Sequence, residues 1–351
     1  MKPNPCAKPR FLACPAILAA FLLSALMLAP PAPALAAKKH VIKFASLAPE
    51  GTTWMSVMRR LDRDMRKGTK KAVRFRIYPG GVSGNEKDVV RKLRVGQLHA
   101  AGFTGVGLGE ILPAVRLFEL PFLFRNYEEV DAVHEELDGW FEAAFRKKGY
   151  VLLGWSEVGF AHFFSKNPIA GVRDLARQKV WMWEGDPLAR TYFETMGVRA
   201  IPLAVTDVLT SLQTGLVNTV YISPLGAIAL QWFTKVRYIS PVPMANVTGA
   251  LVMRKNRFER LANDHQDLLL ERTRVRMREL RRLTRAENAR SIEAMTKRGL
   301  KLSPPPPPEE MKAFRRLSRE AMKKLAGKLI PADLLERAGR VLEGLRARKP
   351  S

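Results

Sequence analysis

The chain has 351 residues, a formal net charge of +26 from 59 Lys and Arg against 33 Asp and Glu, and two cysteines. Cys6 and Cys14 both lie within the first 14 residues, inside the N-terminal signal-like segment, so the rest of the chain excludes disulfides, cysteine nucleophiles and thiolate metal sites. Its histidines, His40, His99, His134, His162 and His265, show no HxxxH or HExxH spacing, so neither a metal enzyme nor a cofactor is indicated.

The N-terminus reads as a signal peptide. Lys2, Lys8 and Arg10 form a basic start, Phe11 to Leu28 an apolar run, and Ala34-Leu35-Ala36 a small-x-small cleavage signal. Cleavage after Ala36 predicts a periplasmic protein with no stable membrane insertion. The run is short for a span and is followed by Pro30, Pro31 and Pro33. The charge excess favours anionic partners in general. Export, and the absence of an aromatic-rich motif among the basic residues, argue against nucleic acid.

Val41 to Ala45 is β-prone, and Pro49-Glu50-Gly51 ends it. Thr52 or Thr53 then caps a predicted helix to about Lys67, with Trp54, Met58, Leu61 and Met65 on one face. Val73 to Tyr78 alternates apolar and basic residues, as a half-wet strand does, and stops at Pro79-Gly80-Gly81. Glu86 to Val95 reads as a helix and Ala100 to Phe103 as a strand. This β-α-β-α-β order predicts a mostly parallel sheet covered by helices.

The pattern then repeats. Tyr150 to Trp155 and Phe160 to Ser165 read as two strands with a crossing near Glu157 to Gly159. Val180 to Trp183 is a strand of large side chains. Asp186-Pro187 starts a helix, with Asp as cap and Pro at the first helical position. Ala200 to Leu203 is extended, Asp207 to Thr214 a short helix, and Val220 to Ile222 a strand. Gly249 to Met253 returns to the first unit. Asp264 to Arg298 reads as one long helix whose stripe runs through Met277, Leu280, Leu283, Ala286, Ala289, Ile292 and Met295. A polyproline spacer, Pro304 to Pro308, precedes helices from Glu309 to about Leu325 and from Asp333 to Leu345.

In this order the chain resembles the DctP-type solute receptors of TRAP (tripartite ATP-independent periplasmic) transporters. The segments that carry the resemblance are Phe75 to Gly84 (FRIYPGGVSG), Leu120 to Tyr127 (LPFLFRNY), Asp174-Leu175 with Lys179-Val180, and Thr210 to Asn218 (TSLQTGLVN). The resemblance implies an α/β, two-lobed periplasmic binding protein fold (type II-like) with a long helix spanning both lobes. On it, residues 1–36 are the signal, 37–157 the first part of lobe I and 158–246 lobe II. Residues 247–286 return to lobe I and enter the long helix, and 287–351 are C-terminal helices packing on the lobes.

The implied function is transport, with a small-molecule ligand and TRAP membrane subunits as partners and no catalysis. The family's ligands are typically carboxylates held by arginine, whose planar fork matches them. Here the two basic positions that the resemblance expects read Trp181 and Ala161. Candidate ligand contacts are therefore Trp181, Trp183, Phe160, Ala161, Tyr221, Ser223, Trp54, Gly81 and Met244, a set suited to a neutral or largely hydrophobic molecule. Two alternatives stay open: a carboxylate receptor with a substitute arginine such as Arg190, and a periplasmic carrier of a lipid-like molecule without uptake.

Overall fold

A computed structural model describes residues 39–348. The signal peptide and its cleavage after Ala36 lie outside the described residues. Among those described, no helix is long and apolar enough to cross a membrane.

The first half is built from β1 (His40–Ser46), α1 (Thr53–Gly68), β2 (Val73–Tyr78), α2 (Glu86–Arg94), β3 (Ala100–Thr104) and α3 (Gly105–Gly109). A 3-10 turn over Pro113–Glu119 leads to α4 (Tyr127–Lys147) and the long strand β4 (Tyr150–Ser165). The second unit contains α5 (Val172–Ala176), β5 (Trp181–Trp183), α6 (Pro187–Thr195), β6 (Ile201–Leu203), α7 (Val208–Thr214), β7 (Thr219–Ile222), α8 (Pro224–Ala229) and β8 (Tyr238–Ile239). The chain then runs back through β9 (Ala245–Arg254) and α9 (Lys255–Phe258) into α10 (Asn263–Lys297). It ends with β10 (Lys301–Leu302), α11 (Pro308–Leu325) and α12 (Ala332–Arg348).

Local chemistry explains the starts. The Thr52 hydroxyl accepts from Met55 N, so α1 begins where the sequence predicts, with Met55, Met58, Leu61 and Met65 buried. Asn85 and Asp88 form a reciprocal capping box on α2. Asp186 accepts from the backbone N–H groups of Leu188 and Ala189, and Pro187 opens α6.

The sheet runs β10-β8-β4-β9-β3-β1-β2, with β7 also on β4, and β5 and β6 form a separate parallel pair. β1 is parallel to β2 and β3, whereas β9 is antiparallel to both β3 and β4. The two strands expected between Tyr150 and Ser165 are one strand. It stays paired to β9 through two register shifts, at Leu152/Gly154 and Glu157/Gly159. Gly159 sits at φ +105, which side-chain-bearing residues rarely adopt, and a Cβ there would collide with Asn288. β4 and β9 thus carry both lobes: their outer ends join the first unit, and His162–Ser165 pair with β7 of the second.

α10 lies across both lobes, but its inward face differs from the predicted stripe. The buried residues are Leu269, Thr273, Met277, Leu280, Thr284, Asn288, Ser291 and Met295, while Ala286 and Ala289 are exposed. A stripe repeating every three residues rotates steadily around a helix of 3.6 residues per turn, so it cannot stay inward over this length. The polar members of the true face serve the crossing strands. Asn288 Nδ2 donates to Val158 O at 2.9 Å and its Oδ1 accepts from Leu225 N at 2.9 Å. Arg285 pairs with Glu157 and Asp131, both at 2.6 Å, and its guanidinium lies 4.3 Å from the Tyr127 ring centre.

α4, which packs on α12, buries His134 beneath the first sheet. The imidazole stacks face to face on Phe118, with ring centres 3.7 Å apart, and meets Trp155 edge-on. Burial, reinforced by Arg281, lowers the His134 pKa to about 3. The folded state therefore refuses a proton that the unfolded chain accepts near pH 6.5. The resulting stability is complete above that pH and is lost on acidification. His134→Phe should remove about 2 kcal/mol of the destabilisation between pH 8 and pH 5. Urea titrations of both proteins at the two pH values test this, and identical pH slopes would contradict it.

Candidate functional site

The cleft between the two units holds a cavity of about 660 Å³. It opens at the C-terminal ends of β1, β3, β5 and β7, where α/β sheets commonly bind ligands, and β4, β9 and α10 close its back.

Aromatic side chains build two of its walls. On the first unit Trp54 stacks near Phe44, ring centres 6.2 Å apart, and its ring lies against Gly102. Any Cβ at Gly102 would run into the indole, so the glycine is what lets Trp54 lie there. On the second unit Trp181 and Trp183 project to the same side of β5, as residues two apart must. Trp181 is only 2% exposed. It packs against Tyr221, Trp232 and Trp183 with ring centres 5.1, 5.2 and 5.9 Å away, and its Nε1 donates to Leu203 O at 3.1 Å. Trp183 is half-buried and forms the outer surface of the wall. Val158, Leu209, Ile222, Ile228 and Val247 extend the apolar lining.

The polar part is a buried charge cluster. Arg116, 4% exposed, donates from Nη2 to Asp186 Oδ2 at 2.8 Å, and its Nε lies 3.1 Å from Glu119 Oε2. Glu119 Oε1 accepts from Thr248 N at 3.0 Å. Glu86 accepts from the backbone and hydroxyl of Thr104 and from Gly107 N, each at 2.7 Å. Burial raises the Glu86 carboxyl to about 7 despite these bonds. Burial likewise raises Glu119 to about 7; Arg116 opposes the shift and Asp186 adds to it. Burial disfavours the charge of Arg116, but Asp186 and Glu119 outweigh it and raise its pKa. Two lining hydroxyls, Ser156 Oγ and Tyr221 OH, are buried without a well-aligned hydrogen-bond partner. Such groups call for a ligand atom or water.

Of the residues predicted from sequence, Trp54, Trp181, Trp183 and Tyr221 line this cavity. The others are occupied elsewhere. Phe160 packs on Tyr127 with ring centres 4.9 Å apart. Ser223 caps α8 by accepting from Gly226 N. Met244 belongs to the core of the second unit, and its N–H donates to Ala161 O inside the sheet. Gly81 supplies a turn at φ +75; Gly80 beside it reaches the cavity. Arg190 is exposed on α6 and is not part of the cavity lining. His162 is a core residue whose Nδ1 lies 2.8 Å from Ser240 O. The sequence reading did not single out Arg116, Ser156 and Trp232. An arginine set among Ala114, Val115, Leu117 and Phe118 was the available signal for the first, since a charge in an apolar run must find a buried partner.

The profile of the bacterial extracellular solute-binding proteins, family 7 (DctP), matches residues 44–328. The 2,3-diketo-L-gulonate-binding periplasmic protein YiaO of Escherichia coli is 22% identical over 244 residues, 68% of this chain and 73% of its own length. A solute-binding protein of Chromohalobacter salexigens is 27% identical over 158 residues, 44% of this chain. The match spans about half the length of that relative (47%) and of the YiiZ protein of Salmonella typhimurium (49%). Among solved structures, the sugar acid binding protein of Advenella mimigardefordensis in complex with galactonate superposes with a TM-score of 0.80. It is 18% identical and covers 87% of this chain and 99% of its own. A TRAP periplasmic solute binding protein from Pseudomonas putida F1 with bound D-glucuronate gives 0.79 at 22% identity, covering 86% and 97%. At these identities the superpositions establish the fold, two-lobed and α/β. With a profile match over most of its length, the chain belongs to the bacterial extracellular solute-binding proteins of family 7.

Proposed function

We propose that this protein is the periplasmic receptor of a TRAP-type transporter, and that it closes on a neutral, largely apolar molecule and presents it to the membrane subunits. The observation that carries the ligand class is Trp181. At the position where an arginine is expected stands an indole whose N–H is already bonded to Leu203 O. The cation that does line the cavity, Arg116, is neutralised by Asp186 and Glu119. A carboxylate entering this cleft meets three acids and one guanidinium that is already paired, and its desolvation would cost several kcal/mol. An apolar body gains by covering Trp54 and Trp183, with hydrogen-bonding atoms matched to Ser156 and Tyr221.

A second reading, a receptor for sugar acids, is favoured by the presence of Arg116 in the lining and by the galactonate and D-glucuronate held by the solved relatives. Calorimetry separates the two. The protein is expected not to bind D-glucuronate or galactonate measurably, and mass spectrometry of gently purified protein is expected to find an uncharged ligand. Tight binding of either sugar acid would overturn the first reading in favour of the second.

A further inference from the structure

We propose that Asp186 is a built-in carboxylate that occupies Arg116 and thereby sets the cleft against acidic ligands. The inference rests on the reading of the cleft as a site for non-acidic molecules and names the residue responsible.

The argument starts from what a buried guanidinium requires. Arg116 lies in the 3-10 turn of the first unit, packed among Val115, Leu117 and Phe118 of that core. Its charge is tolerable there only if an anion stands beside it. Asp186 provides that anion from the second unit, reaching across the cleft to Nη2 at 2.8 Å with its side chain 2% exposed. One carboxylate oxygen, Oδ1, caps α6 through Leu188 N and Ala189 N, so the side chain is fixed in place and only Oδ2 faces the arginine. A ligand carboxylate would make the same bond from the same space. The chain's own acid already fills that role, held in place by the fold, and a free acid must displace it.

The guanidinium is neutralised but not saturated. Nε is close enough to Glu119 for an ion pair, yet it lacks an aligned hydrogen bond. Glu119 is itself fixed by Thr248 N, so it cannot swing in to chelate both nitrogens. Removing the charge at residue 186 therefore leaves Arg116 with a free donor edge toward the cavity.

Asp186→Asn does this and keeps the helix cap, because Asn caps about as well as Asp, while Glu119 stays beside the buried guanidinium. Asp186→Ser, also a good cap, is the second variant in case the first folds poorly. Both are compared with the unmodified protein by calorimetry against 3-phenylpropanoate and its neutral analogue 3-phenylpropanamide, with thermal melting as the folding control. In either folded variant the preference for the acid over the amide should rise by about tenfold, the scale of one charge-assisted hydrogen bond. Arg116→Met added to Asp186→Asn should abolish the gain. An acid-to-amide preference equal to that of the unmodified protein, or absence of acid binding by folded variants, overturns the proposal. The sugar-acid panel on the unmodified protein judges the ligand-class reading separately, since it does not involve the variants.

Discussion

Replacing Arg285 by methionine should destabilise the protein by about 3 kcal/mol, the low end for breaking a buried ion pair because the guanidinium itself is partly exposed. The loss comes from what is left behind. Glu157, with a side chain 3% exposed, sits at the second register shift of β4 and pairs with Arg285 at 2.6 Å. Burial raises its pKa, and Arg285 is the main group opposing that shift. Without the guanidinium the carboxylate is stranded where both lobes share one strand. Asp131 on α4 loses its closer partner at the same time, but it keeps Arg281 at 3.6 Å, and half-exposure further softens that loss. Urea titration gives the magnitude. Adding Glu157→Gln to Arg285→Met should recover part of the loss, because the double variant no longer buries an unpaired charge. A loss below about 1 kcal/mol for Arg285→Met would mean that water reaches Glu157 and that the pair is not what holds the crossing.

The extent to which sequence revealed this molecule follows from how local each signal is. Caps and breakers are local, so α1, α2, α6 and the short strands β1, β2, β3 and β5 fall within a few residues of their predicted bounds. α4 is absent from the sequence-based expectations, although Asn126 caps it and Val130, Val133, Leu137, Phe141 and Phe145 recur at helical spacing. Its many acids and its glycine at Gly139 dilute that pattern. The fusion of two expected strands into β4 depends on β9, nearly a hundred residues away, which holds the chain extended through Glu157 and Gly159. The same distance dependence governs the site. Trp181 and Trp183 were readable because they alternate on one short strand. Arg116 and Asp186 were not, because each is explained locally: one sits in an apolar turn, the other caps a helix. Their shared role exists only once the two units meet.

Trp181 and Trp183 should respond oppositely to truncation, although they lie on the same face of the same strand. Trp181→Ala removes an indole that is almost wholly enclosed by Tyr221, Trp183 and Trp232. That deletes a large buried volume and leaves Leu203 O without its donor, so stability should fall by about 3–5 kcal/mol. Trp183→Ala removes a half-buried ring, and its effect on stability should be well under half as large. Binding should show the reverse order. The face available to an incoming apolar molecule belongs to Trp183, so its loss should weaken binding by about 1–3 kcal/mol through lost contact area. Trp181→Phe separates the support role further. It keeps an aromatic packed against Tyr221 and loses the indole N–H bond, worth about 1 kcal/mol of stability, while ligand affinity stays close to that of the unmodified protein. The measurements are denaturant unfolding and calorimetry with the ligand that co-purifies. If Trp183→Ala binds that ligand unchanged while Trp181→Phe loses it, the ligand reaches behind the outer ring, and Trp181 itself is the contact surface.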